Sequence, residues 1–142
     1  MANPNREHAW NADVGKVDVD VQFTAGASGA VGTVYGSTLF YPGGVVLSVT
    51  KPAGTGIYRV TLRETWYRLS NVWGTIVQPS FVNTHAGDIF ISADSVNDPT
   101  KNYFEIVTRS LDTTAAATDM TSGDTIKFTA RLWFQNPRPM GF

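Results

Sequence analysis

Apolar and polar residues alternate with a period of two in several stretches of the chain. From Lys16 to Phe23, Val17, Val19, Val21 and Phe23 fall on one side and Asp18, Asp20 and Gln22 on the other, the pattern of a half-buried strand. Thr125 to Phe134 repeats it most cleanly, with Ile126, Phe128, Ala130, Leu132 and Phe134 inward and Lys127, Thr129 and Arg131 outward. Ile57 to Leu62 places Tyr58, Val60 and Leu62 opposite Ile57, Arg59 and Thr61, with Arg63 continuing the outward set.

Shorter signals fill the gaps. Val45 to Thr50 is β-branched, and the run from Lys51 to Gly56 is a turn whose glycines supply positive φ. Trp66, Tyr67 and Leu69 extend a sheet or form its corner. Val72 to Val82 reads as an edge or interrupted strand, because Pro79 removes a ladder donor. Ile89 to Val96, with Ile89, Ile91 and Ala93 opposing Phe90 and Ser92, forms a hairpin with Tyr103 to Thr108 across the loop Asp94 to Thr100. The stretch 25–44 alternates strand and turn, and Ala115 to Ala117 has the composition for one helical turn. The sum is about nine short strands and no amphipathic helix, which predicts an all-β sandwich or barrel.

The two ends break the pattern. Residues 1–15 mix Asn, Asp, Pro and charge around Trp10, and the tail 135–142 carries two prolines two apart. The expected organisation is an N-terminal arm (1–15), one β-sandwich domain (16–134) and a C-terminal tail (135–142). A chain of 142 residues with 42% hydrophobic content supplies one core without metal or disulfide.

Charge and chemistry narrow the function. Eleven Lys and Arg against twelve Asp and Glu, with the basic residues scattered singly, predict no nucleic-acid partner. No stretch approaches the ~20 apolar residues that cross a bilayer, and Met1 to Arg6 lacks a signal-peptide core, so no membrane partner is expected. The chain has no cysteine, which removes disulfides and thiolate zinc sites and is compatible with assembly in a reducing cytoplasm. His8 and His85 lie far apart with no second ligand at metal spacing, and no nucleophile elbow or phosphate-binding glycine loop occurs. Asp94, Asn97 and Asp98 are explained as turn caps. Asp18 and Asp20 share a strand face, where water or a basic partner must accompany them. The expectation is therefore no enzyme, no catalytic residue, no cofactor and no metal.

What remains is surface recognition. Aromatic residues make up 12% of the chain, more than a small core needs, and some must lie outside it. The candidate interface residues are Trp10 in the arm, Phe142 at the end of the tail, Trp133 on the outward register of its strand, and Arg59 and Arg63. For Trp133 a second packed sheet face and a subunit contact are both open. For Arg59 and Arg63 a solvated face and bridges to carboxylates of a neighbour are both open. Arms that order against a neighbour suggest an oligomer.

At Gly54-Thr-Gly-Ile-Tyr-Arg-Val-Thr-Leu62 and at Thr121-Ser-Gly-Asp-Thr-Ile-Lys-Phe128, the sequence resembles small capsid decoration, or cement, proteins of tailed bacteriophages. A Gly-rich opening after the first strand, Phe23-Thr-Ala-Gly-Ala-Ser-Gly-Ala30, belongs to the same organisation, which spans Val17 to Phe134. The resemblance implies a β-sandwich of jelly-roll type that forms a homotrimer and binds the major capsid protein at hexamer junctions on the virion surface, stabilising the head. The alternative reading is a receptor- or glycan-binding head domain of a phage tail fibre, with Trp66, Tyr67 and Trp73 stacking on sugar rings. A jelly-roll hydrolase or lyase would need converging carboxylates or a histidine metal site in a cleft.

Overall fold

A computed structural model describes residues 16–35 and 44–133. The chain forms eight strands there: β1 (Lys16–Ala25), β2 (Val31–Tyr35), β3 (Val46–Thr50), β4 (Ile57–Leu62), β5 (Arg68–Val77), β6 (Ala86–Ser95), β7 (Tyr103–Ser110) and β8 (Thr125–Trp133). A short 3-10 turn, Ala27–Gly29, joins β1 to β2. The strands make two antiparallel four-stranded sheets, ordered β2-β1-β8-β5 and β3-β4-β7-β6. The all-β expectation holds, with eight strands among the described residues where the alternation suggested about nine across the whole chain.

The most regular alternation lies at the centre of the first sheet. β8 pairs with β1 from Lys16↔Trp133 to Thr24↔Thr125 and with β5 on its other side. Its even positions Ile126, Phe128, Ala130 and Leu132 are buried against Val19, Val21 and Phe23 of β1 and Tyr58, Val60, Leu62, Phe104 and Ile106 of the second sheet. Phe104 meets Phe128 edge-on, ring centres 6.5 Å apart, across the two sheets. A side chain with two sheet neighbours and a facing sheet has little freedom to leave the core. Alternation predicts burial best at such positions.

The edges depart from the pattern. β5 is an edge strand, one of the two alternatives Pro79 left open, and it runs from Arg68 to Val77 rather than from Val72 to Val82, ending two residues before that proline. β6 is the edge of the second sheet and carries register shifts between Ala86 and Asp88 and between Ile91 and Ala93. The second shift turns Ala93 to pair with Glu105 on the outward face, away from the side that alternation has it share with Ile89 and Ile91; Ile91 pairs with buried Ile106 yet is 42% exposed, because no strand lies beyond it in the sheet. Ala115 to Ala117 makes no helix; Ala117 bridges to Arg109 instead.

Trp66 forms the corner between β4 and β5. It is 3% exposed, and its backbone N–H donates to Val96 O at 2.8 Å. The connections 51–56, 78–85 and 111–124 and the 3-10 turn all gather at one end of the sandwich, called the loop end below. The start of β1 and the end of β8 lie together at the other.

Candidate functional site

Four outward aromatics on the sheets, Tyr103, Trp133, Trp73 and Phe90, have a basic neighbour supplied by the strand ladder. Arg59 of β4 pairs with Glu105 of β7; its Nε and one terminal nitrogen donate to Glu105 Oε1 at 2.9 and 2.6 Å, and its guanidinium lies 4.1 Å from the Tyr103 ring centre. The Arg–carboxylate bridge considered for a subunit surface is thus closed within the chain at Arg59. Arg63 lies one residue beyond β4, exposed, with its backbone N–H donating to Val45 O. Trp133 ends β8 on the outward face, with Lys16 Nζ 5.3 Å from its ring centre and the Arg68 guanidinium 4.9 Å from it. Arg131 lies 5.5 Å from the Trp73 ring centre and Arg109 4.9 Å from that of Phe90.

Including Lys51 over Tyr58, six such contacts fall within the described residues. Tyr58 is buried; the other five contacts place the chain's own cations beside outward aromatics. Trp10 and Phe142, the other two candidates, fall outside the described residues; of the remaining three, Trp133 belongs to the first sheet, and Arg59 and Arg63 lie on and just beyond β4 of the second.

The acidic face of β1 is similarly occupied. Asp18 accepts from Arg131 Nε at 2.8 Å and from a terminal nitrogen at 3.0 Å, and Asp20 accepts from Thr129 Oγ1 at 2.6 Å. The bond from Arg131 holds the Asp18 carboxyl below the ordinary carboxylate range despite some desolvation. Where alternation left water or a basic partner open, cross-strand register supplies the partner to Asp18.

Among the described residues the most exposed large apolar side chain is Phe81, at 72%. It stands at the loop end, between β5 and β6, on a segment whose backbone is pinned from several sides. Gln78 uses both ends of its amide, Nε2 donating to Ala86 O and Oε1 accepting from Val82 N–H, each at 2.8 Å. His85 N–H donates to Val82 O, and Leu111 N–H donates to Asn83 O. Val77 and Leu111, about half exposed, lie on the segments that flank the loop. Sequence reasoning missed Phe81 by counting it as a strand residue; the one usable signal was Pro79, which ends the strand before it.

Beside it, a buried latch fixes the other loops. Tyr58 Oη donates to Gly29 O at 3.0 Å and accepts from Met120 N–H at 3.2 Å, tying the 3-10 turn to the segment before β8. Burial pushes the Tyr58 phenol up to about 12, so it stays a neutral donor at physiological pH. Asp119 Oδ1 accepts from Gly56 N–H at 2.6 Å and pairs with Lys51 Nζ at 2.8 Å. Burial pushes the Asp119 carboxyl up, but the bonds from Lys51 and Gly56 outweigh it and leave it below the ordinary range. Gly56 itself has φ +72°, and a Cβ there would lie 2.6 Å from Thr108 O, so only glycine fits this approach.

No three His, Asp or Glu side chains group at metal-binding distance among the described residues. Of the aromatics considered for sugar stacking, Trp66 is buried in the corner, whereas Tyr67 and Trp73 are exposed. No protein-family model matches this chain, and comparison with curated proteins and with solved structures finds no similar one.

Proposed function

We propose that this chain is a structural binding protein without catalytic activity that docks on a protein shell, in the manner of the phage capsid decoration proteins it resembles. The observation that supports this best is Phe81. A phenylalanine 72% exposed on a hydrogen-bonded loop is already ordered for contact, so burying it in a partner's pocket costs little conformational entropy. The half-exposed Val77 and Leu111 extend that apolar area at the same end. In this reading the partners are the major capsid protein and further copies of the chain as a trimer. The place of action is the virion surface, after assembly in the host cytoplasm. Many weak copies bound at repeated sites add up to a large stabilisation of a shell.

The resemblance also implies a jelly-roll winding. The hairpins β1–β2, β3–β4 and β6–β7, which keep both strands in one sheet, weigh against it and leave the coarser sandwich as the framework of the proposal.

The test is addition of the purified protein to expanded phage heads lacking it. Binding that saturates at hexamer junctions and raises the melting temperature of the heads is expected. Phe81→Ser should weaken binding roughly tenfold or more, about 1.4 kcal/mol, while leaving the melting temperature of the free protein unchanged. A protein that never sediments with heads, or a Phe81→Ser variant that binds as well as the parent, overturns this reading.

A further inference from the structure

The outer face of the first sheet carries two exposed aromatic side chains near its opposite edges. Trp73 of β5, 42% exposed, pairs with Thr129 of β8, which pairs with Asp20 of β1. Tyr35 ends β2, 52% exposed, and pairs with Gln22 of β1; Gln22 pairs with Lys127 of β8, which pairs with Thr75 of β5. Directly opposed residues of antiparallel strands project to the same side, and Thr129 and Lys127 lie two apart, so all seven share one face. Three strand spacings of ~4.8 Å and one two-residue step of ~6.8 Å set the two aromatic positions about 16 Å apart.

The strip between the rings is polar and electrically balanced. It holds one carboxylate, one ammonium, two hydroxyls and one amide: Asp20, Lys127, Thr129, Thr75 and Gln22. Beside it Arg131, paired with Asp18, also lies 5.5 Å from the Trp73 ring centre; it adds no free charge, and Trp73 keeps 42% exposure with that guanidinium in place. An anionic ligand would need an excess of basic groups, which the strip lacks. A protein partner would need a contiguous apolar centre, and here polar side chains separate the two rings. A sugar chain meets both conditions, since its C–H faces pack on aromatic rings and its hydroxyls exchange hydrogen bonds with carboxylate, amide and hydroxyl groups. The ~16 Å span, measured in strand spacings, exceeds one sugar ring and suits a short chain of them.

The geometry points to this face as a platform for a neutral oligosaccharide lying across the strands from Trp73 to Tyr35. The site is on rigid ladder, so little ordering accompanies binding. It is separate from the Phe81 loop and stands or falls independently of shell docking.

Titration calorimetry of the full chain with cellohexaose, xylohexaose, mannohexaose, maltohexaose and chitohexaose tests it. At least one should bind with micromolar to low-millimolar affinity, about 4 to 8 kcal/mol. The corresponding disaccharide, which reaches one ring only, should bind several-fold more weakly. Trp73→Ala and Tyr35→Ala should each weaken the hexasaccharide roughly tenfold, about 1.4 kcal/mol, and Phe81→Ser should leave it unchanged. If Trp73→Ala lowers the melting temperature, Tyr35→Ala at the far edge decides the matter alone. No binding across the panel, equal affinity for disaccharide and hexasaccharide, or binding indifferent to Tyr35→Ala overturns the platform.

Discussion

On the outer faces of the sheets, Trp133, Tyr103 and Phe90 lie beside cations from neighbouring strands; at the loop end, Phe81 projects into water from a backbone fixed by Gln78. The two regions are ordered by different means. In a ladder, register places each outward side chain within about 5 Å of a cross-strand neighbour, so a ring can be covered by a guanidinium without any loop being shaped for it. A loop has no register. Its order comes from side-chain amides, hydroxyls and backbone groups, which fix the main chain and leave the tip residue uncovered.

Three experiments break or sharpen this contrast. Leu132→Ala removes a fully buried side chain from β8, on which both regions depend, and should cost about 2 to 5 kcal/mol in urea unfolding. A change below the error of the measurement would mean that β8 does not hold the core. Tyr58→Phe strips the latch of the hydroxyl that serves Gly29 O and Met120 N–H, and should cost about 1 to 3 kcal/mol. Its mark should be regional: faster amide exchange around Gly29 and Met120, with β1 and β8 still protected. Uniform loss of protection would show that loop end and sheets are one cooperative unit, ending the comparison.

The smallest effect is acid sensitivity. Asp119 has its carboxyl held below 3.8 in the folded protein, so its stabilising contribution is present above the unfolded value and is lost as pH falls through the lowered folded one. Melting temperature should therefore decline below about pH 4, and Asp119→Asn should flatten part of that decline. Lys51→Met should do the same by removing the partner. Acid profiles of both variants that overlay the parent would exclude the Lys51–Asp119 pair as a source of loop-end stability.

Legibility followed the same division. The strands β1, β4 and β8 could be read from alternation, because a residue with strands on both sides takes its burial from its parity. Ile91 broke the rule at an edge, where a register shift and a missing neighbour override parity. Arg59 was visible as an outward arginine, but its partner Glu105 lies 46 residues away, and only the β4–β7 register brings them together. Trp133 was visible as an outward aromatic, whereas Lys16 and Arg68 beside it come from two other strands. Phe81 had no local signature beyond Pro79, which ends the strand before it, and Tyr35 had none, since exposure of a loop tip or a strand end depends on what the rest of the chain leaves uncovered.

The sequence by itself determined the all-β class, the inward faces of the central strands and the glycine turn before β4, because these depend on side-chain parity and backbone sterics within a few residues. Tertiary structure alone decided which cation covers which ring, that Tyr58 and Asp119 tie the loops together, and that Trp73 and Tyr35 look out from one face. Each of those depends on strand order and register, which join residues distant in the chain through contacts that no local pattern encodes.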